Sequence, residues 1–341
     1  MQRRHAIILV SVLLVLALGL AGAFLFLPAW QARDPQAIPT APASPGAASA
    51  SSAAASDPAS AAAAGAPAAS AAGLASIRVG SYNLAIFGST KVARTATLAI
   101  LARIAQTYDL LAVQEVGSNA STAGDEACEA VLEAFVARIN EDAGPGVYAF
   151  VRGDQYAFIY RQDKLTAAKA GLYEGREAFT YRPLLAYFQV KDRPLDFLAL
   201  TIHTRPGLAK AEVPALARAM DELASSLGEA DVLCLGDFNA DGSYYAEGPG
   251  QSLAGFPEAR YVTLIPNEAD TTVAAASLAY DRMEASASLR EDWTGAWGVV
   301  RPGSLWDLSA CEGGADSAGT ERALSDHYPV WAEFSALRDT D

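Results

Sequence analysis

The sequence predicts an α/β sandwich, two mixed sheets packed face to face with helices outside. Two observations predict it. From Ile77 onward, apolar strand-like runs alternate with helical runs, and several strand-like runs come as hairpin pairs. Several apolar runs also stop abruptly at polar groups, as in LCLGDFNADGSYY, Leu233 to Tyr245. A buried polar group without a partner costs several kcal/mol. Such strand ends are therefore either plain turns or the rim of a site.

The elements follow in order. Ile77 to Asn83 alternates with period two, and Thr95 to Thr107 places Leu98, Leu101 and Ile104 at helical spacing. Asp109 to Val116 returns to a buried strand, and Asp125 to Asn140 is helical. Tyr148 to Val151 and Tyr156 to Arg161 flank the turn Arg152-Gly153-Asp154. Leu184 to Val190 and Pro194 to His203 form a second pair. Lys210 to Leu227 is helical, Asp231 to Gly236 is a buried strand, and late strands follow near Tyr280 and Pro329. No internal repeat of fixed period is present.

Residues 1–76 are of another kind. Arg3, Arg4 and His5 precede an uncharged apolar run, Ala6 to Trp30, long enough to cross roughly 30 Å of hydrocarbon as a helix. A basic start before such a run is an export signal. Ala21-Gly22-Ala23 suits a cleaved signal peptide (residues 1–30), whereas the continuation through Phe26 to Trp30 suits an uncleaved anchor. Residues 31–76 are Ala, Ser, Pro and Gly with scarcely a large side chain. Such a segment cannot offset its ordering entropy by burial, so it reads as a tether with a reach of roughly 35–40 Å. The chain beyond is one domain, residues 77–338.

The charge balance narrows the partners. The chain carries a net charge of −14, and setting aside Arg3, Arg4, Arg33, Asp34 and Asp57 leaves 22 basic against 37 acidic side chains. That argues against non-specific adhesion to nucleic acid and suits work with divalent cations. Cys128, Cys234 and Cys311 are an odd set for an exported chain. Cys234 lies in an apolar strand, while Cys128 and Cys311 are candidates for a disulfide.

The chemistry collects at the strand ends: Asn83, Gln114-Glu115, Asp154 in a hairpin turn, His203, Asp237-Phe238-Asn239, Asp281, and Ser325-Asp326-His327. The chain has only three His, and two stand in this set. Each position alone has a bland reading as a turn residue, a solvated loop or a surface ion pair. That all of them are bland together is improbable. Carboxylates for a hard cation, imidazoles with carboxylate partners and amides able to hold phosphate oxygens are the components of metal-assisted phosphoester hydrolysis.

SYNL, VQEV, IHT, GDFNADGSY, AYDR and SDHYPV, in this order, resemble the endonuclease/exonuclease/phosphatase superfamily. Within it, LIPNEADTTV (Leu264 to Val273) and the GDFNAD run are similar to the deoxyribonuclease I branch. The resemblance covers about residues 77 to 336. It implies a four-layer α/β sandwich and a divalent-metal phosphodiesterase using Mg²⁺ or Mn²⁺, with a Ca²⁺ in addition. It assigns Glu115, Asn83 and Asp326 to the metal, and pairs His203 with Asp154 and His327 with Asp281. It gives Asp237 and Asn239 the attacking water and the phosphate oxygen. Asp270 and Thr272 resemble a structural Ca²⁺ site, and Arg152 and Arg182 stand nearest the family's substrate-binding positions.

The departures lie outside that centre. The family's disulfide would join positions 242 and 278, here Gly242 and Leu278. The Arg expected after QEV is Gly117, and Tyr181 stands where an Arg is expected before Arg182. The implied substrate is DNA, cut with little sequence preference by an exported, membrane-tethered or secreted enzyme with no stable protein partner. Hydrolysis of a lipid head group or small phosphoester is the alternative, and a degenerate binding module is a third.

Overall fold

The protein is described here from a computed structural model, which covers residues 75–117, 125–245 and 251–339. The proposed anchor and nearly all of the tether lie outside the described residues. Among those residues no helix is long and apolar enough to cross a membrane.

Among the described residues twelve strands make two six-stranded sheets. The first runs β11 (Trp293–Val299), β12 (Val330–Ser335), β1 (Ser76–Phe87), β2 (Leu110–Val116), β4 (Tyr156–Arg161), β3 (Tyr148–Gly153). The second runs β5 (Leu165–Leu172), β6 (Leu184–Val190), β7 (Asp196–His203), β8 (Val232–Asp237), β10 (Asp281–Ser286), β9 (Tyr261–Thr263). Both are mixed. Only β1–β2 and β7–β8 are parallel, and a crossover helix serves each, Thr95–Ala105 and Ala209–Leu227.

Three apolar cores separate four layers, in agreement with the expected sandwich. Ile77 and Val79 of β1, Leu110 and Ala112 of β2, and Leu233 and Leu235 of β8 face the core between the sheets. Their alternate neighbours face outward instead. Tyr82, Leu111 and Val113 meet the helices Thr95–Ala105 and Asp125–Ala143, while Val232 and Cys234 meet the helix Ala209–Leu227. Strands buried on both faces read in sequence as near-continuous apolar runs, which is why β2 and β8 were visible there, while β1 showed as an alternation.

Two features mark where the parallel strands end, one a polar link between the sheets and one a close backbone approach within the second sheet. Gln114 is fully buried and donates from Nε2 to Ser81 Oγ (3.1 Å) and, across the sandwich, to Thr201 Oγ1 (2.9 Å). At Gly236, φ is +148° and a Cβ would lie 2.0 Å from the Ile202 carbonyl oxygen. Only glycine fits that approach. Cys128 and Cys311 share one apolar core with no disulfide between them, and Cys128 Sγ lies 3.6 Å from the Val116 carbonyl oxygen.

Candidate active site

Strand register assembles the site. Parallel pairing sets His203 at the end of β7 beside Asp237 at the end of β8, and antiparallel pairing sets Asp237 beside Asp281 at the start of β10. In the other sheet Asn83 on β1 pairs with Gln114 on β2, directly before Glu115. His327 arrives on the segment leading into β12 and is pinned by a backbone bridge to Thr272.

The Asn83 amide joins the two sheets. Its Nδ2 donates to Glu115 Oε1 (2.9 Å) and to Asp237 Oδ2 (3.1 Å), and its Oδ1 accepts from the Ala85 N–H (2.9 Å). Glu115 Oε2 accepts from the Ile86 N–H (2.8 Å). The other imidazole lies against an acid: His327 Nδ1 and Asp281 Oδ2 are 2.7 Å apart. Both imidazoles then converge on one oxygen. Asp237 Oδ2 lies 3.3 Å from His203 Nε2 and 3.5 Å from His327 Nε2. Asn239 is fixed beside it, its N–H donating to Asp237 Oδ1 (3.0 Å) and its Nδ2 to the Thr204 carbonyl (3.0 Å). Asp326, with a side chain 61 % exposed, places Oδ1 4.0 Å from His327 Nε2.

Electrostatics sharpen these roles. Burial alone would lower the His327 pKa, but the carboxylates of Asp281 and Asp237 and the hydrogen bond to Asp281 outweigh it and raise it to about 10. Burial pushes Asp281 up to about 6 against the pull of His327. Both values describe an imidazolium–carboxylate pair at neutral pH. Burial also opposes ionisation of Asp237, yet the two imidazoles and the bonds from Asn239 and Asn83 hold it below its ordinary range.

Other expected residues are placed differently. His203 Nδ1 makes no hydrogen bond and faces Glu115 Oε1 at 3.7 Å, so the expected hydrogen bond to Asp154 is not formed. Asp154 occupies its hairpin turn in a left-handed conformation, φ +51°. Arg152, expected on the substrate, is bonded to Glu129 instead, and the exposed Arg182 lies 3.4 Å from Glu174. Asp270, expected to bind Ca²⁺, accepts from Arg301 Nη2 (2.9 Å), a cation already in place. Thr272 Oγ1 is buried with no hydrogen-bond partner. Gly242 and Leu278 are neighbours, a Cβ at 242 falling 3.1 Å from Leu278 Cδ2.

With this geometry in place, comparison with known proteins is decisive at the family level. The endonuclease/exonuclease/phosphatase family model matches residues 80–327. The chain belongs to that family. Human (Homo sapiens) deoxyribonuclease-1 is 29 % identical over 276 residues, spanning 76 % of this chain and 92 % of that protein. Rabbit (Oryctolagus cuniculus) deoxyribonuclease-1 is 28 % identical over 266 residues, spanning 75 % and 91 %. Among solved structures, an endonuclease/exonuclease/phosphatase family protein from Bacteroides thetaiotaomicron covers 76 % of this chain and 97 % of its own. Its TM-score is 0.52 at 18 % identity, a likeness of fold. The family membership and the relatives support a hydrolytic phosphodiesterase.

Sequence reasoning gave no role to several supporting residues. The Tyr156 hydroxyl accepts from the His203 N–H (3.0 Å). Thr271 Oγ1 accepts from the Asp281 N–H (3.0 Å), and Ser325 Oγ donates to the Asn83 carbonyl (2.7 Å) while accepting from the His327 N–H (3.1 Å). Tyr156 carried no signal, being one apolar position in a strand. Ser325 and Thr271 stood inside SDHYPV and LIPNEADTTV, where the motif was the only cue.

Proposed function

We propose that the chain is an exported, membrane-tethered endonuclease that hydrolyses DNA phosphodiesters with little sequence preference and with Mg²⁺ or Mn²⁺. The observation that carries this reading is the convergence of His203 and His327 on Asp237 Oδ2, an oxygen that Asn83 ties to Glu115. The deoxyribonuclease-1 relatives, matched over most of their length, favour DNA. Export and tethering rest on the apolar run Ala6 to Trp30 and the Ala/Ser/Pro-rich segment after it.

The residues present fit a hard cation. Glu115 (24 % exposed) and Asp326 (61 %) offer carboxylate oxygens beside the Asn83 segment. Among the described residues no group of three His, Cys, Asp or Glu side chains is arranged to enclose an ion. One or two carboxylates, completed by water and substrate phosphate, is the usual donor set of Mg²⁺. When bound, the cation would polarise a phosphate oxygen and offset its developing charge.

The protein groups divide the remaining work. His327, held protonated by Asp281, donates a hydrogen bond to the phosphate as negative charge builds. Asp237, held as a carboxylate, accepts from the attacking water. His203, with Nδ1 unbonded, is assigned to proton transfer. Asn239 positions a phosphate oxygen through its second amide hydrogen.

A second reading, a phosphatase or phosphodiesterase for a lipid head group or small phosphoester, is favoured by the flanks. Arg152 and Arg182 are paired within the chain and the net charge is −14. Supercoiled plasmid incubated with the full chain in Mg²⁺, with and without Ca²⁺, beside the His203→Ala variant, decides between them. Nicked and then linear products that vanish with chelator or in the variant support the nuclease. Intact plasmid with phosphate released from a phosphoinositide supports the alternative, and binding of DNA without turnover supports a degenerate module.

A further inference from the structure

Lys91 is a buried cation that the chemistry above does not use. It lies on the short helix Ser89–Val92, is 8 % exposed, and spends all three ammonium donors on backbone carbonyls. Nζ donates to Leu84 O (2.7 Å), Ala85 O (2.6 Å) and Leu324 O (3.0 Å). These carbonyls belong to two segments 240 positions apart that deliver opposite sides of the site. Leu84 and Ala85 follow Asn83, and Leu324 precedes Ser325-Asp326-His327.

Two further observations show what the ammonium holds. Ser325 Oγ donates to the Asn83 carbonyl at 2.7 Å, so the segments also touch on the site side of Lys91. Ala85 and Ile86 adopt φ of +46° and +54°, left-handed conformations that cost free energy for an alanine and more for a β-branched residue. That strained pair supplies the N–H groups bonded to Asn83 Oδ1 and Glu115 Oε2. Strain persists only where its surroundings hold it, and the bond from Nζ to Ala85 O does so.

We propose that Lys91 is a positioning residue, a three-point clamp that fixes the Asn83–Glu115 side of the site against the Asp326–His327 side. Resting on the phosphodiesterase reading above, the clamp sets both divalent-cation affinity and turnover. Its own charge is secondary. Burial lowers the ammonium pKa to about 8, with Asp326 and Glu115 pulling it back up, so it remains mainly a cation at neutral pH.

Charge and geometry predict opposite results, which makes the inference testable. In Lys91→Met the bulk stays while the charge and the three bonds go. If positioning dominates, Mn²⁺ binding to the full chain, read by electron paramagnetic resonance of free Mn²⁺, weakens about 10-fold. Plasmid cleavage then loses about 100-fold in kcat with KM for DNA nearly unchanged. Lys91→Arg, which keeps donors for the carbonyls, recovers most of both. Thermal unfolding of each variant shows that the fold is present at the assay temperature.

Tighter Mn²⁺ binding in Lys91→Met would overturn the proposal, since Lys91 would then act only by repelling the cation. A lowered Tm with binding and kcat intact would overturn it too, leaving a residue that merely stabilises the loops. If the wild type binds Mn²⁺ but cuts no plasmid, the DNA reading fails while the Mn²⁺ comparison still decides Lys91. A wild type that binds no Mn²⁺ overturns both.

Discussion

The floor of the site and its flanks are built on opposite principles. On the floor, Asn83, Asp237 and Asp281 are almost fully buried, and each is held by groups that are themselves held. On the flanks, Arg152 answers Glu129, Arg182 answers Glu174, and Gly117 carries no charge at all. Buried polar groups must be satisfied by particular partners, so the floor is over-determined. An exposed ion pair such as Arg182–Glu174 contributes roughly 0–1 kcal/mol, so the flanks are freer to change than the floor. The chemistry is thus fixed more firmly than the substrate it meets.

The largest effect should come from breaking the floor. Replacing His203 or His327 by Ala should lower kcat by about 10³-fold while leaving KM within a few-fold, as expected when a positioned acid or base is lost. Steady-state cleavage of a fluorescent oligonucleotide would measure it. A fall in KM-limited binding instead, with kcat retained, would place these imidazoles outside the chemistry.

Asp281→Asn tests the same floor more finely. His327 has a folded pKa raised to about 10 from an ordinary 6.5. A raised pKa means that protonation stabilises the fold, in full below 6.5, with the contribution lost as pH rises through 10. Without the Asp281 charge the imidazolium should persist only to lower pH. The activity deficit should therefore widen with pH, from about 10-fold near pH 6 to about 100-fold near pH 8.5. The wild type should also lose more Tm than the variant across that window. A deficit independent of pH would show that Asp281 orients the ring without holding its proton.

What could be read from sequence follows the same division. Strands β2, β7 and β8 are buried on both faces and appear as apolar runs, β1 appears as a period-two alternation, and the polar residues at their ends mark the floor. The strands that went unread are β5, β9 and β11, each at or next to a sheet edge and partly exposed. LTAAKAGL has a bulge between Ala168 and Gly171, which breaks the alternation. Lys91 escaped notice because its partners are carbonyls, which every residue possesses. The Asp270–Arg301 and Arg152–Glu129 pairs escaped because partners far apart in sequence leave no local pattern.

The flanks should respond weakly, and in the favourable direction. Glu129→Ala removes one acidic partner of Arg152 and a negative charge from the flank, and Gly117→Arg adds a positive charge beyond Glu115. Each should lower KM for duplex DNA about 3-fold at low salt and steepen the salt dependence by about one counterion. kcat should not move. If neither variant changes KM on DNA while both change it on an anionic lipid head group, the flanks serve the alternative substrate.

The smallest effect contrasts strain that serves the site with strain that does not. Among the described non-glycine residues, Ala85, Ile86, Glu115, Asp154 and Asn239 have positive φ at the strand ends and turn singled out above, whereas Lys169 (φ +52°) sits in the bulge of β5 and Asp192 (φ +58°) in the turn after β6. A left-handed L-residue costs about 1–2 kcal/mol, and glycine removes most of that while adding about 0.5–1 kcal/mol of unfolded-state entropy. Lys169→Gly should therefore gain about 0.5 kcal/mol, a Tm rise of about 1–2 °C, with kcat unchanged. Asn239→Gly relieves the same kind of strain but deletes an amide from the floor, so activity should collapse whatever the Tm does. If Lys169→Gly instead cost activity, the far bulge would be coupled to the site, and the division between fixed floor and tolerant surroundings would fail.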